Sequence, residues 1–232
     1  MKRAIVTGGA GRIGSAIAQR LLDSGWEVAS LDLLPSTVGR AVTCDLSDEI
    51  SVQRAVEDLG WDRIDLVVNN GGRTTGLGLA ILDATLTDWQ GMIASHLTAA
   101  FLVSRAAVPF MTRGGSIINM TSARALMSEG GDVAFAAARG GLVALTQALA
   151  AQLGPAIRVN AIAPGWITDA GELSMTEQAA QPAGRPEAIA EAVLGLHEGG
   201  FVTGQTLVVD AGTPGTLRPV RPGDGLLPGD AG

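Results

Sequence analysis

Short apolar runs alternate along this chain with longer stretches in which apolar side chains recur every three or four residues. The short runs, residues 4–7, 28–31, 41–44, 66–68, 116–120, 158–162 and 207–209, are rich in Val, Ile and Leu and predict strands. The longer stretches, 12–23, 50–59, 88–111 and 134–153, predict helices, with Ala, Leu and Gln filling the positions between the periodic ones. Strands that alternate with helices pair in parallel through crossovers, which places helices on both faces of one sheet. From Gly212 the pattern gives way to GTPGTLRPVRPGDGLLPGDAG, where Pro removes backbone donors and Gly makes ordering entropically costly. The expected organisation is one domain over residues 1–212 and a mobile tail over 213–232. That tail is either an unstructured end or an arm across a partner subunit. No internal repeat is present.

Composition narrows the class. The chain has 232 residues, of which 47% are hydrophobic and 17% charged, enough for a large core in one α/β domain. A formal charge of −7, with 16 Lys and Arg scattered rather than clustered, argues against a nucleic-acid partner, whose phosphates need a concentrated basic surface. Cys44 is the single cysteine, so no internal disulfide can form. The start MKRAIVTGG runs directly into strand and loop, and no run approaches the roughly 18 uninterrupted apolar residues of a membrane span. A cytoplasmic protein that does not engage a membrane is expected. Two histidines and one cysteine, far apart in sequence, show no metal-ligand spacing.

The chemistry begins after the first strand. Thr7-Gly8-Gly9-Ala10-Gly11-Arg12-Ile13-Gly14 opens the first helix, and Gly9, Gly11 and Gly14 satisfy the G-x-G-x-x-G spacing of a dinucleotide-binding turn. Small residues there let the backbone approach a pyrophosphate, which the free amides of the helix N-terminus then bind. The second strand ends at Asp32, 18 residues after Gly14, where a carboxylate accepts hydrogen bonds from ribose hydroxyls. The expected cofactor is NAD(H) or NADP(H). Asp32 repels a 2′-phosphate and leans towards NAD, whereas Arg12 either reaches such a phosphate or points to solvent.

Further motifs follow in a familiar order. Cys44-Asp45-Leu46, Asn69-Asn70-Gly71-Gly72, Ser116-Ile117-Ile118-Asn119-Met120-Thr121-Ser122, Arg158-Val159-Asn160-Ala161-Ile162-Ala163-Pro164-Gly165 and Val202-Thr203-Gly204-Gln205 occur in that sequence. With the glycine loop, they make residues 3–212 resemble the short-chain dehydrogenase/reductase family. The resemblance implies a Rossmann-type, doubly wound, seven-stranded parallel sheet, a nicotinamide cofactor and a small-molecule substrate. It also implies that Asp45 and Leu46 meet the adenine, that Asn70 and the following glycines Gly71 and Gly72 flank the adenosine, and that Pro164, Gly165 and Ile167 lie near the nicotinamide. Asp45 could instead cap the helix beginning near Ser47, and the Asn-Asn-Gly-Gly stretch could be a plain strand-exit turn.

The same resemblance exposes a departure. The family's catalytic serine matches Ser122, but its tyrosine, 13 residues on, corresponds to Phe135, and its lysine, four residues further, to Arg139. The chain contains no tyrosine at all. The family's helix asparagine corresponds to His96. Phe135 cannot donate a proton, and Arg139 is a poor acid whose planar donors could still hold the nicotinamide ribose. His96 is either a proton relay or a helix histidine satisfied by backbone, and His197 reads as a surface residue near a helix end. Trp166 follows Pro164-Gly165 and could stack on a flat or cationic substrate, or simply pack.

Three function classes stay open on these residues. One is a reductase whose acceptor, an iminium or a quinone-like group on a bulky metabolite, needs no enzyme acid. The others are a non-catalytic dinucleotide-binding scaffold or sensor, and a non-redox lyase or cyclase using Ser122 and His96. A shortened segment between Ile167 and Gly184 suggests an open substrate lid. By resemblance, the helices over 88–111 and 134–153, with Ala148, Ala151 and Leu153 facing away from the site, pair subunits into a homodimer or homotetramer.

Overall fold

The computed structural model describes residues 1–73, 75, 77–128, 131–168 and 183–211. In chain order they form β1 (Arg3–Thr7), α1 (Arg12–Asp23), β2 (Glu27–Asp32), β3 (Arg40–Thr43), α2 (Glu49–Glu57) and β4 (Ile64–Asn69). Then come α3 (Leu86–Ile93), a π-helical turn (Ala94–Thr98), α4 (Ala99–Ala107), β5 (Met111–Met120), α5 (Val133–Leu153), β6 (Arg158–Pro164), α6 (Pro186–Glu198) and β7 (Thr206–Val209). The strands make one seven-stranded sheet in the order β3-β2-β1-β4-β5-β6-β7, parallel at every junction. The order reverses beside β1, so the loops leaving β1 and β4 part and open a crevice at the carboxyl edge of the sheet.

Alternating side chains of the strands feed two cores. Ile5, Val67, Ile117 and Val159 point to one face, where α2, α4 and α5 cover them with Val52, Leu102, Val103 and Ala150. Ala4, Val6, Leu66 and Ile118 point to the other, where α1 and α6 contribute Ile17, Leu21, Ile189 and Val193. Strands buried on both faces read as continuous apolar runs, which is why they were visible in the sequence. The stretches Leu86–Phe110 and Val133–Leu153 match a membrane span in length and mean hydropathy, yet α4 and α5 lie on this sheet.

Three expected boundaries shift. The helix expected over 88–111 starts earlier, because Thr85 caps it in a reciprocal capping box with Asp88. It is interrupted by the π turn and ends before Met111, since Pro109 supplies no amide to continue the ladder. Met111 instead begins β5, whose first half, through Gly114 and Gly115, has no apolar run to announce it. The expected tail lies outside the described residues, as does most of the expected lid.

Candidate active site

The crevice is floored by the glycine loop. Gly8 leaves β1 with φ +68°, in the left-handed region, and its amide donates to the Leu31 carbonyl at 2.9 Å. A Cβ on Gly14 would stand 2.0 Å from the Gly8 carbonyl oxygen, and one on Gly9 would stand 2.5 Å from Ser30 Cβ. These two glycines lie beneath the cleft as spacers that let loop, helix and strand touch. Gly11 is the N-cap of α1, and neither a side-chain cap nor an acidic residue occupies the first turn. The positive end of the helix therefore faces the cleft uncompensated by a side chain, as an anion such as a pyrophosphate requires.

Asp32 closes the loop from the other side. Its two carboxylate oxygens accept from the Ala10 and Leu34 amides, each at 3.1 Å, and both retain lone pairs for ribose hydroxyls. Asn70 donates its side-chain amide to the Thr7 carbonyl at 3.1 Å, while the amides of Asn70 and Gly71 both donate to Thr7 Oγ1 at 2.9 Å. The exits of β1 and β4 are thus latched together. A Cβ on Gly71 would lie 2.4 Å from Leu46 Cδ1, so the glycine lets the Leu46 side chain fold in where these walls meet. Asp45 accepts from the Ser47 amide at 2.9 Å and hydroxyl at 2.6 Å, forming a local turn. It does not cap α2; Asp48 does, through the Ser51 amide at 2.8 Å.

These walls enclose a cleft of about 800 Å³. Of the residues expected to hold the cofactor, Gly8, Gly11, Arg12, Ile13, Asp32, Asp45, Leu46, Asn70, Gly71, Arg139 and Ile167 line it. Arg12 reaches over it to donate to the Ile167 carbonyl at 3.5 Å. Pro164 is buried at the end of β6, and the Gly165 amide donates to the Val209 carbonyl at 3.0 Å, so both sit behind the lining. This cleft fits a dinucleotide: a glycine-cleared approach, an uncapped helix end and a carboxylate at the tip of β2 converge on it.

The opposite wall is different. His96 sits in the π turn, 2% exposed, with Nε2 3.0 Å from the Arg73 carbonyl oxygen. A carbonyl only accepts, so Nε2 carries the hydrogen, and Nδ1 is a bare acceptor with no partner among the described residues. Burial above all, with the positive charge of Arg139 adding to it, pushes the imidazole pKa down to about 3. At working pH His96 is neutral, and its one proton is donated to the Arg73 carbonyl, so the backbone holds the ring. The edge of its ring meets Phe135, with centroids 5.6 Å apart at 87°. The Arg139 guanidinium lies 5.1 Å from the centroid of that Phe135 ring and donates to the Met120 carbonyl. Burial lowers its pKa to about 10, which still leaves it charged. His96, Phe135 and Arg139 therefore form one column of ring, ring and cation.

Ser122, at the end of β5, accepts from the Arg124 amide at 3.2 Å. Arg124 in turn pairs with the buried Asp132 at 2.7 Å, tying down the entry to α5. Ser122, His96, Phe135 and Trp166 all lie outside the lining of the cleft. Trp166 is 47% exposed, and its carbonyl accepts from the Gly184 amide at 2.9 Å. His197 is not a surface residue. It is buried on the far side of the sheet, 2.8 Å from Ser116 Oγ and edge-on to Trp26, and burial lowers its pKa to about 4.

Gly72, the second glycine expected beside the adenosine, also lines the cleft, whereas sequence reasoning missed Leu33, Cys44, Ser47, Arg73, Gly91, Ala94 and Ser95. The first four adjoin residues that the motifs did identify, so chain adjacency was the available signal. Gly91, Ala94 and Ser95 share a helical face by their three and four residue spacing.

Comparison with known proteins agrees with this geometry. The family model described as Enoyl-(Acyl carrier protein) reductase matches residues 8–214. A Streptomyces violaceoruber protein assigned as ketoacyl reductase 2 of the granaticin polyketide synthase is 34% identical over 237 residues, covering 90% of this chain and 94% of that one. The 3-oxoacyl-[acyl-carrier-protein] reductase FabG of Thermotoga maritima is 31% identical, covering 91% of this chain and 97% of its own. Among solved structures, a blue fluorescent protein from a metagenomic library in complex with NADPH superposes with a TM-score of 0.81 at 31% identity, covering 91% of this chain and 97% of that one.

Proposed function

The chain belongs to the short-chain dehydrogenase/reductase family, and from that premise we propose that it is an NAD(P)H-dependent reductase whose acceptor needs no proton from the enzyme. One observation carries the reading: Phe135, which by the resemblance stands where the family has its acid, has no proton to give and is packed between His96 and Arg139. The bound cofactor would supply hydride. A ketone that receives hydride becomes an alkoxide and needs an acid at once. An iminium that receives hydride becomes a neutral amine and needs none.

The residues divide the remaining work. Gly8, Gly11 and the amides opening α1 would hold the pyrophosphate, and Asp32 the adenosine ribose, with a lean towards NAD(H). Asp45 and Leu46 would bound the adenine, and Ile167 the nicotinamide end. Arg139 stays charged and offers planar donors to the nicotinamide ribose. Ser122 would orient a substrate heteroatom. The similarity to a ketoacyl reductase of polyketide synthesis supports a bulky metabolite as substrate. The exposed Ala148 and Ala151 of α5 support assembly as a homodimer or homotetramer.

The test is a matched pair of acceptors, a cyclic iminium salt and an acetoacetyl thioester, offered with NADH and NADPH while loss of reduced-nicotinamide absorbance is followed. Turnover of the iminium alone is the expected result. Turnover of the thioester alone contradicts the reading, and dinucleotide binding without any turnover points to the scaffold class.

A further inference from the structure

Arg73 follows the β4 turn and enters the same cleft from the side opposite Asp32. Its guanidinium lies over α3 at Gly91, where a Cβ would stand 2.0 Å from Nη1. The absent side chain at 91 is the space the cation occupies. Nε donates to the Thr75 carbonyl at 3.0 Å and hydroxyl at 3.1 Å, which fixes the plane of the group. No carboxylate among the described residues forms an ion pair with it. Asp88, which feels its charge, accepts the amide and hydroxyl of Thr85 on Oδ2 and makes no ion pair with Arg73.

The backbone of Arg73 is also held. His96 Nε2–H donates to its carbonyl, and Gly72 clears the room for that ring, since a Cβ there would meet Nδ1 and Cε1 at 2.0 Å. Two glycines, one buried histidine and a threonine thus position a single cation. With Arg12 and Arg139 it brings three guanidinium groups to a cleft whose lining holds two carboxylates, Asp32 and Asp45, in a chain whose net charge is −7. Electrostatic focusing of that kind selects anions.

We infer that Arg73 is an anion-recognising residue of the cleft, taking a phosphate or carboxylate group of the bound ligand, and that His96 is the positioning residue holding it there. This rests on the reductase reading for the identity of the cleft. The anion has two sources, a substrate group or the 2′-phosphate of NADPH. The geometry favours substrate: a ribose held by Asp32 lies beyond β1 from Arg73, on the β2 side of the sheet.

Calorimetry with NADH, with NADPH, and with inorganic phosphate added to the NADH complex tests it on wild type, Arg73→Gln, Arg73→Lys and Gly91→Ala. Gly91→Ala suits the helix, so a loss there reports displacement of the guanidinium rather than unfolding. If the anion belongs to substrate, phosphate binding falls at least about tenfold in Arg73→Gln and Gly91→Ala, survives in Arg73→Lys, and NADH affinity stays within about twofold. If it is the 2′-phosphate, NADPH alone loses about tenfold in the same variants. His96→Asn, with Arg73 intact, should lower the same anion affinity without changing that for NADH. Phosphate and both dinucleotides binding wild type and Arg73→Gln alike, or phosphate failing to bind wild type while NADPH is indifferent to the variant, overturns the inference. If neither dinucleotide binds wild type, the reductase reading falls, and phosphate titrated into the dinucleotide-free proteins still decides the role of Arg73.

Discussion

The two walls of the cleft are built on opposite principles. The wall made by β1, α1 and β2 is a surface of backbone, where Gly8, Gly11 and Gly14 carry no side chains and leave the main chain exposed to the cleft or packed closely beneath it. The wall made by the π turn and α5 is a surface of side chains, where His96, Phe135 and Arg139 pack on one another. The first is least tolerant at Gly14, where a side chain would meet the fixed carbonyl of Gly8. In the second, Phe135 touches both His96 and Arg139, so a change at Phe135 is felt by its two neighbours. On the proposed reading, cofactor binding falls to the first wall and proton supply is missing from the second.

The comparison breaks most sharply at Gly14. Gly14→Val forces branched carbon onto the Gly8 carbonyl 2.0 Å away, and NADH affinity should fall by about a hundredfold or more, some 2.7 kcal/mol, in a calorimetric titration. Next in size is acid stability. An unfolded histidine titrates near 6.5. His96 and His197 have folded values of about 3 and about 4, so below roughly pH 6.5 the unfolded chain binds more protons and stability falls. Their contribution is complete above that pH and is lost progressively down to the folded values, at about 1.4 kcal/mol per pH unit for each histidine. Urea midpoints between about pH 6.5 and about pH 5 read this slope before most carboxylates protonate, and His96→Asn should halve it.

Asp32→Ala sharpens the contrast within the backbone wall. It removes ribose acceptors and the support of the Ala10 and Leu34 amides, and should weaken NADH about tenfold while sparing NADPH, as parallel titrations would show. The smallest effect is expected at the other wall. Phe135→Tyr should leave iminium reduction within about twofold, measured as kcat/KM, because no proton is drawn from that position. A large gain in ketone reduction from this single change would instead mark the column as a damaged reductase site.

The backbone wall was legible because glycine spacing after a strand and a carboxylate at the tip of the next are local signals. So were the strands, whose two-sided burial writes continuous Val, Ile and Leu runs. The absence of tyrosine was equally plain, but not its meaning in space. Nothing in the sequence says that His96 donates to the Arg73 carbonyl, or that Gly72 and Gly91 clear room for the His96 ring and the Arg73 guanidinium. Those contacts join residues about 20 positions apart through a turn and a π-helical segment with no sequence signature. His197 misled for a related reason: its place near a helix end suggested solvent, whereas Ser116 and Trp26 enclose it.

The most direct measurement is the single-turnover rate of hydride transfer from bound NADH to a cyclic iminium between about pH 6 and about pH 9. A rate that is flat across this range, in wild type and Phe135→Tyr alike, is what an acid-free site predicts. A rate that falls with rising pH through a single ionisation in the wild-type protein would show that an enzyme acid takes part, and would contradict the account.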